Sequence, residues 1–210
     1  MKIQILTSKN SWFFKNQDKT PIKYKKYLKK NLITSHEKIK KNNITLIISY
    51  FKIIPEKFLT YSNFNLVIHE ANLPRGRGFS PLFWQLLNGK KNIVFTLFEC
   101  SKELDEGKFY LKKKFFFKPT LLHNEIKKKQ LEYAFDMVDL FIKKYSKNKN
   151  IKSYHQKGKP TYYSKIKNSF SEININKSIK SQINKIRTRD NNDFPAFFYY
   201  KKRKYIMKLF

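Results

Sequence analysis

The sequence predicts an α/β fold in which helices flank a mostly parallel β-sheet. Residues 44–50 (ITLIISY) and 65–69 (NLVIH) are nearly continuous apolar runs, which are typical of strands covered on both faces. Helical segments alternate with these strands, as they do in doubly wound sheets. The chain then becomes polar and ends in a helix candidate and a hairpin pattern. We therefore expect a Rossmann-like core over residues 1–150 and a small extension over residues 151–210 that packs on it.

The N-terminal elements follow from apolar runs and helical spacing. Residues 2–7 (KIQILT) predict the first, buried strand, and residues 31–34 predict a second strand. Between them lies a polar and aromatic segment, residues 11–30, in which tyrosines and a leucine recur at helical spacing. Pro55 predicts the start of a short helical turn (PEKFL), because proline suits the first position of a helix.

The rest of the core contains two further helices and strands. Ser80 is expected to cap a helix that has Pro81 at its first position and ends at an Asn-Gly pair. Residues 93–100 and 109–117 predict two more strands. Residues 120–145 carry apolar side chains near a 3.6-residue period and therefore predict a long amphipathic helix.

The residues after about position 146 predict a linker, a helix and a hairpin. The linker is polar, contains a glycine and a proline, and has at most one short strand near residues 161–163. Residues 176–187 place isoleucines on one face of a helix, and residues 194–210 contain two aromatic-rich strands joined at a Lys-Lys pair. This hairpin would permit pairing between subunits, so a homodimer is an arrangement that we leave open.

The net charge of +31 has two interpretations. A dedicated basic surface predicts binding to nucleic acid or to an anionic membrane, whereas a compositional bias predicts lysines without such a role. The chain has 41 lysines and five arginines, and the lysines are spread along its whole length. Recognition of phosphates and bases also uses arginine, so we favour the bias and do not expect nucleic acid as a partner. A general attraction to nucleotide diphosphates would still follow.

Other features of the composition limit the class of protein. There is no run of about 18 apolar residues, so we expect no membrane-spanning helix. The N-terminus lacks the apolar core and cleavage site of a signal peptide, so we expect a cytoplasmic location. Cys100 is the single cysteine, which excludes an internal disulfide and a multi-cysteine zinc site.

Titratable residues and glycines are concentrated between His69 and Gly107, a stretch that contains four of the five glycines. His69 ends a predicted strand, and ligands of such sheets bind beyond the carboxyl ends of the strands. Asp105 follows 36 residues later and is an acid/base partner if the fold brings it to the histidine. Taken separately, His69 would suit a structural role and Asp105 would suit a turn. Whether the two residues are catalytic therefore depends on the motifs around them.

Three ordered motifs provide that context. Residues 47–59 (IISYFKIIPEKFL), 68–89 (IHEANLPRGRGFSPLFWQLLNG) and 103–107 (ELDEG) resemble the formyltetrahydrofolate-dependent formyltransferases. The C-terminal part from Thr120 is similar to that of bacterial sugar-nucleotide N-formyltransferases. The resemblance implies transfer of a formyl group from the co-substrate N10-formyltetrahydrofolate to the amine of a nucleotide-linked amino-dideoxy sugar, a precursor of surface polysaccharide such as lipopolysaccharide O-antigen.

The resemblance leaves two alternative functions open. One is a tRNA formyltransferase or a nucleic-acid-binding protein on the same scaffold, and the other is a glycinamide ribonucleotide transformylase. A tRNA formyltransferase would carry a further basic barrel domain, so the end of the sequence at Phe210 leads us to expect the sugar enzyme. The C-terminal part argues against the transformylase.

The resemblance implies a catalytic histidine at His69 and a catalytic aspartate at Asp105, which orients the histidine and assists proton movement. It also implies chemistry that needs no metal, so we expect none. The family's oxyanion-donating asparagine, two positions before the histidine, corresponds to Val67, and a serine found in many members corresponds to Ala71. We expect Asn72, in the same loop, to supply the amide instead. A backbone N–H, a water molecule, or a slow or inactive enzyme are the alternatives.

The resemblance also implies where the ligands bind. The pterin is expected between the loop of residues 51–55 and the aspartate loop, with Phe51, Ile53, Ile54 and Leu104 as local candidates. The candidates for binding the acceptor are Arg75, Gly76, Arg77, Gly78, Tyr162, Arg187 and Asn191. For the two arginines beside the glycines, a phosphate or sugar contact and simple solvation are equal alternatives. For Arg187 and Asn191, helix packing is an equal alternative.

Overall fold

The computed structural model describes residues 2–28 and 31–210. The strands of this part are β1 (Ile3–Leu6), β2 (Leu32–Ile33), β3 (Asn42–Ile47), β4 (Ser62–His69), β5 (Arg77–Gly78), β6 (Asn92–Glu99), β7 (Phe109–Phe116), β8 (Tyr162–Tyr163), β9 (Ala196–Tyr200) and β10 (Arg203–Met207). The helices are α1 (Trp12–Lys15), α2 (Ile22–Leu28), α3 (Glu56–Leu59), α4 (Pro81–Leu87), α5 (His123–Lys147) and α6 (Ile179–Arg187). Short 3-10 helices cover Gln17–Lys19, His36–Lys38 and Asn168–Ser171.

Six strands form the central sheet, in the order β2-β1-β3-β4-β6-β7. The pairs among β2, β1, β3 and β4 are parallel, and the pairs β4–β6 and β6–β7 are antiparallel. The parallel-dominated sheet with its flanking helices confirms the predicted α/β class. Its antiparallel end was not predicted, because a buried apolar run has the same pattern in either direction. The carboxyl ends of β1, β3 and β4 lie at one edge, where the ligands of such sheets bind.

Helix α5 packs the hydrophobic core against the sheet. Phe135 and Phe141 of this helix are fully buried, and the ring of Phe141 meets that of Phe64 in β4 edge to face at 5.2 Å. Tyr24 and Tyr27 of α2 stack on Phe135 with ring centroids 5.0 and 5.8 Å away. Each fully buried aromatic side chain stabilises a fold by about 2–3 kcal/mol, so these contacts hold α2, α5 and the sheet together.

The structure differs from the local predictions for residues 11–30 and for the start of α4. Residues 11–30 divide into α1, a 3-10 helix and α2, and positions 29 and 30 lie outside the described residues. Pro81 begins α4 as predicted, but Ser80 does not cap that helix, because its φ of 49° is left-handed and its side chain makes no capping hydrogen bond. A capping serine needs an extended backbone for its oxygen to reach the N–H groups of the first turn.

The C-terminal extension is joined to the core by a short parallel ladder. β8 pairs with β5, so that Arg77 lies opposite Tyr162 and Gly78 lies opposite Tyr163. β9 and β10 form the predicted hairpin, and a small hydrophobic cluster around Ile186 joins this hairpin to α6. The hairpin leaves several aromatic side chains exposed, and the homodimer stays a prediction. Within the described residues, no helix has the length and apolar character needed to cross a membrane.

Candidate active site

His69 ends β4 at the carboxyl edge of the sheet and is only 6% exposed. Its Nε2 atom lies 2.7 Å from the carbonyl oxygen of Gly76. A carbonyl oxygen only accepts hydrogen bonds, so in the neutral imidazole we assign the hydrogen to Nε2. Nδ1 is then an unprotonated acceptor, and this is the nitrogen that faces the aspartate loop.

Asp105 lies beside that nitrogen. Its Oδ2 atom is 3.7 Å from Nδ1 of His69, and the two side chains are 10% and 7% exposed. The backbone N–H of Gly78 donates to the same carboxylate oxygen at 2.8 Å. Asp105 has a left-handed backbone with φ of 56°, a conformation that aspartate adopts more readily than most residues. The fold thus brings together the two residues that were predicted to be catalytic.

Two glycines allow the close packing around this pair. At Gly78, where φ is 93°, a Cβ atom would lie 2.6 Å from the carbonyl oxygen of Tyr163. At Gly107, a Cβ atom would lie 1.7 Å from the carbonyl oxygen of Glu99. Both distances are shorter than real Cβ contacts, so a side chain at either position would displace the backbone. The Arg-Gly turn therefore docks closely on β8, and the aspartate loop docks closely on β6.

Arg77 links the aspartate loop to the extension. Its buried guanidinium pairs with Glu106 through Nη1 and donates from Nη2 to Oε1 of Gln156 at 2.9 Å. Gln156 in turn donates its amide hydrogens to the carbonyl oxygens of Asp105 and Gly107 at 2.7 and 2.9 Å. Arg77 was expected to contact the acceptor or to be solvated. The structure instead places it within the hydrogen-bonded framework that holds the aspartate loop.

The predicted pterin contacts lie on loops at the carboxyl edge. Ile54 packs in one apolar cluster with Val67 of β4 and Cys100, which precedes the aspartate loop. The other three candidates are exposed: Phe51 by 66%, Ile53 by 86% and Leu104 by 61%. The loop after β3 is tied to the end of β1, because the N–H of Phe51 donates to the hydroxyl of Ser8 at 2.9 Å. An apolar surface therefore borders the polar pair.

Cys100 forms part of this surface without a chemical role of its own. Burial raises the pKa of its thiol to about 11, and the charges of Glu99 and Asp105 contribute to the rise. A thiol with such a pKa is protonated near neutral pH, and the nucleophilic form of cysteine is the thiolate.

Asn72 and Arg75 belong to a neighbouring groove. Asn72 is exposed, and its Oδ1 atom accepts a hydrogen bond from Nζ of Lys112 at 2.8 Å. Arg75 is also exposed and lines the groove with Asn72 and Lys112. The described contact of the Asn72 side chain is therefore with Lys112, rather than with the His69–Asp105 pair for which it was expected to supply an amide.

Arg187 and Asn191 are engaged in packing. Arg187 is buried and donates to the carbonyl oxygen of Leu121 at 3.0 Å and to Oδ1 of Asn184 at 2.9 Å. The amide of Asn191 exchanges hydrogen bonds with the backbone of Leu209. These contacts support the packing alternative, so we do not include either residue in the acceptor site.

Sequence reasoning did not identify Gln156 or Thr161 as residues of this region. The backbone N–H of Gly76 lies 2.9 Å from Oγ1 and 3.0 Å from the carbonyl oxygen of Thr161, which holds the loop that contacts His69. Tyr162, a predicted acceptor residue, is exposed and places its hydroxyl 3.4 Å from Nη1 of Arg77. Both missed residues lie in a polar linker without periodicity, so no local signal pointed to them.

The fold and the site together define an α/β protein with a buried His–Asp pair at the carboxyl edge of its sheet. Within the described residues, no group of three or more His, Cys, Asp and Glu side chains is arranged to hold a metal ion. A family model described as formyl transferase matches residues 3–138. The chain therefore belongs to the formyl transferase family.

Individual relatives agree with this membership. The methionyl-tRNA formyltransferase of Thermotoga maritima is 31% identical over 150 residues, which are 70% of this chain and 48% of that protein. The chain thus spans about half the length of the curated relatives that it matches. The solved structure of the methionyl-tRNA formyltransferase of Clostridium thermocellum matches this chain with a TM-score of 0.72 at 21% identity. The match covers 97% of this chain and 90% of that chain.

A third relative was solved with ligands. It is the N-formyltransferase of Helicobacter canadensis in complex with folinic acid and dTDP-3-aminofucose. Its TM-score is 0.68 at 16% identity, over 96% of this chain and 85% of its own. At such low identities, these structural similarities show a shared fold.

Proposed function

We propose that this chain transfers the formyl group of N10-formyltetrahydrofolate to the amine of a nucleotide-linked amino-dideoxy sugar. The observation that carries the proposal is the buried His69–Asp105 pair, whose Nδ1 and Oδ2 atoms lie 3.7 Å apart at the ligand-binding edge of the sheet. The choice of a sugar is supported by the Helicobacter canadensis enzyme, whose structure contains dTDP-3-aminofucose.

The surface beside the pair fits a flat heterocycle. Phe51, Ile53 and Leu104 expose apolar groups next to Ile54 and Cys100, and clustered exposed apolar groups of this kind mark ligand-binding surfaces. The donor, when bound there, supplies an activated formyl carbon. The folinic acid in the Helicobacter canadensis structure supports a folate in this family's fold. We therefore assign the pterin to the surface between the loop of residues 51–55 and the aspartate loop.

The pair is arranged to hold and deprotonate an amine. In the assigned tautomer, both Nδ1 of His69 and Oδ2 of Asp105 accept hydrogen bonds, so one amine can donate a hydrogen to each. When the amine attacks the formyl carbon, the new C–N bond leaves a positive charge on the nitrogen. His69 takes that proton at Nδ1, and Asp105 stabilises the resulting imidazolium. His69 then delivers the proton to N10 as the bond between N10 and the formyl carbon breaks.

The negative charge on the formyl oxygen requires a partner other than Val67. The Val67 side chain packs in an apolar cluster and has no hydrogen to donate to the oxygen. We assign this role to the imidazolium that forms when His69 takes the amine proton, because its positive charge offsets the oxyanion of the tetrahedral intermediate in a buried site. Asn72 remains the alternative donor that the sequence suggested.

The test is a direct assay of formyl transfer. The protein is incubated with N10-formyltetrahydrofolate and a panel of GDP-, dTDP- and UDP-linked amino sugars, and mass spectrometry detects addition of one formyl group. We expect at least one sugar to be formylated by the wild-type protein and none by His69→Ala. Formylation of methionyl-tRNA alone would overturn the sugar as acceptor, and formylation of neither class would overturn the transfer itself.

Methionyl-tRNA is the second candidate acceptor. The identity to the Thermotoga maritima enzyme and the net charge of +31 both favour it. Binding to a polyanion releases counterions and weakens steeply as salt is added. If tRNA is the acceptor, its KM should rise steeply between low and physiological salt, whereas the KM of a small nucleotide sugar should change far less.

A further inference from the structure

A basic groove opens beside the loop that follows His69. It has a volume of about 270 Å³ and is formed by residues 72–75, Lys112 and residues 157–159. The charged side chains in its lining are all cations: Arg75, Lys112, Lys157 and Lys159. The groove therefore combines one segment of the core loop, one strand of the sheet and one segment of the extension around a positively charged space.

Lys112, which lines the groove, is aligned with His69 across two neighbouring strand pairs. His69 of β4 pairs with Thr96 of β6, and Thr96 pairs with Lys112 of β7. Residues that lie opposite one another on neighbouring strands point to the same face, and neighbouring strands are about 4.8 Å apart. Lys112 is thus about 10 Å from His69 along one face of the sheet, two strand spacings away. A single sugar ring between an amine and a phosphate fits a separation of this order.

Lys112 is held in place for binding. Its Nζ atom donates to Oδ1 of Asn72 at 2.8 Å and to the carbonyl oxygen of Leu73. Nζ also lies 4.5 Å from the centroid of the Phe109 ring. An ammonium has three hydrogens, so the two hydrogen bonds leave a third that a ligand oxygen can accept in place of the ring. Burial lowers the pKa of Lys112, which a bound anion would reverse. The loop that begins at His69 therefore orients one of the cations that line the groove.

We propose that this groove binds the diphosphate of the nucleotide-linked acceptor, with Lys112, Lys157 and Lys159 as the donors to the phosphate oxygens. Phosphate oxygens accept several charge-assisted hydrogen bonds at once, and four cations that line a space of about 270 Å³ suit a compact diphosphate better than a long polynucleotide. The identity of the acceptor rests on the proposed function, but binding of a diphosphate is measured without any turnover.

Isothermal titration calorimetry with UDP, GDP, dTDP, inorganic pyrophosphate and a short RNA oligonucleotide tests this assignment. The groove variants are Lys112→Gln and the double variant Lys157→Gln/Lys159→Gln. The matched control is Lys113→Gln, which removes the same charge from the same strand. The Lys113 side chain lies on the other face of β7, with Nζ 5.1 Å from the ring centroid of Phe115. Circular dichroism confirms that each variant is folded.

At least one nucleoside diphosphate should bind the wild-type protein. Lys112→Gln should weaken its binding about tenfold, the double variant should weaken it by at least as much, and Lys113→Gln should leave it within about twofold. Equal affinities in all variants, or groove-dependent binding of a short RNA oligonucleotide without binding of any diphosphate, would overturn the assignment. If diphosphates bind as expected and no amino sugar is formylated, the assignment of the groove as a diphosphate site is supported, whereas the proposed formyl transfer to a sugar is wrong.

Discussion

Gln156 donates its amide hydrogens to the backbone carbonyl oxygens of Asp105 and Gly107, at 2.7 and 2.9 Å. The donor belongs to the C-terminal extension, and the acceptors belong to the loop of the core that carries the predicted catalytic aspartate. Because these two bonds bracket the loop, the position of the Asp105 carboxylate depends on a segment 51 residues away in the chain. The extension therefore completes the candidate site.

Gln156→Ala should lower kcat about tenfold or more and should also lower the thermal midpoint, because it removes an acceptor of the buried Arg77 guanidinium. The substitution also removes two hydrogen bonds to the aspartate loop, so the carboxylate would lose its fixed distance to His69. Gln182→Ala is the matched control, because its amide bonds only within the extension, to residues such as Asn174. Steady-state kinetics and a melting curve measure both effects. Equal kcat values for the two variants would contradict a positioning role.

The His69–Asp105 pair should be essential to turnover and dispensable for folding. His69→Gln and Asp105→Asn should each lower kcat by about 10²–10⁴-fold, because general acid/base catalysis contributes gains of that order. His155→Gln, at an exposed position of the extension, is the control and should retain wild-type turnover. A variant of the pair with more than a tenth of wild-type kcat would argue against the assigned proton transfer.

Gly78 and Gly158 form a matched pair for testing close packing. Both have positive φ, of 93° and 103°, but an added Cβ would lie 2.6 Å from the Tyr163 carbonyl at Gly78 and would meet nothing within 4 Å at Gly158. Gly158→Ala should therefore cost about 1 kcal/mol from backbone strain alone. Gly78→Ala should cost more and also lower activity, because it separates the turn from β8. Urea denaturation measures the difference, and equal losses would contradict the steric argument.

Because the side chain of His123 is largely buried, we expect the protein to lose stability on mild acidification. It lies at the start of α5, with Nδ1 3.2 Å from Oδ2 of Asp190. Burial lowers the pKa of His123 to about 4, and the charges of Lys127 and Arg189 act in the same direction, whereas Asp190 opposes them. The neutral ring is thus the form that the folded protein favours.

The sign of the effect follows from that pKa. An unfolded histidine takes up a proton near pH 6.5, and the folded one only near pH 4, so the stabilising contribution is complete above about pH 6.5 and falls as the pH drops toward 4. Urea denaturation at pH 7.5 and pH 5 should show a loss on the order of 2 kcal/mol in the wild type. His123→Gln should show a smaller loss, and an equal loss would contradict the burial argument.

Asn72→Ala distinguishes two roles for this amide. If Asn72 orients Lys112 in the groove, the variant should raise the KM of the nucleotide-linked acceptor several-fold and leave kcat nearly unchanged. If it donates to the oxyanion, as the sequence suggested, kcat should fall by about 10²–10³-fold. Steady-state kinetics with the acceptor varied at saturating folate separates the two outcomes.

Local sequence patterns were sufficient for the main elements. The apolar run of β3, the run of β4 that ends at His69 and the periodic pattern of α5 each predicted an element of the right type, because burial leaves a direct trace in sequence. The antiparallel direction of β6 and the left-handed backbone of Ser80 had no such trace. Strand direction and turn geometry depend on contacts between segments that are far apart in the chain, and a local sequence pattern does not record those contacts.

The sequence by itself determined the α/β class and the two residues of the candidate pair, His69 and Asp105, through motifs with a recognisable order. Only the tertiary structure decided that Asn72 faces Lys112, that Arg187 is a packing residue and that Gln156 holds the aspartate loop. The physical reason is that a hydrogen bond between residues far apart in the chain depends on the shape of the folded molecule. A polar linker has no periodic pattern that predicts which residues its side chains will contact.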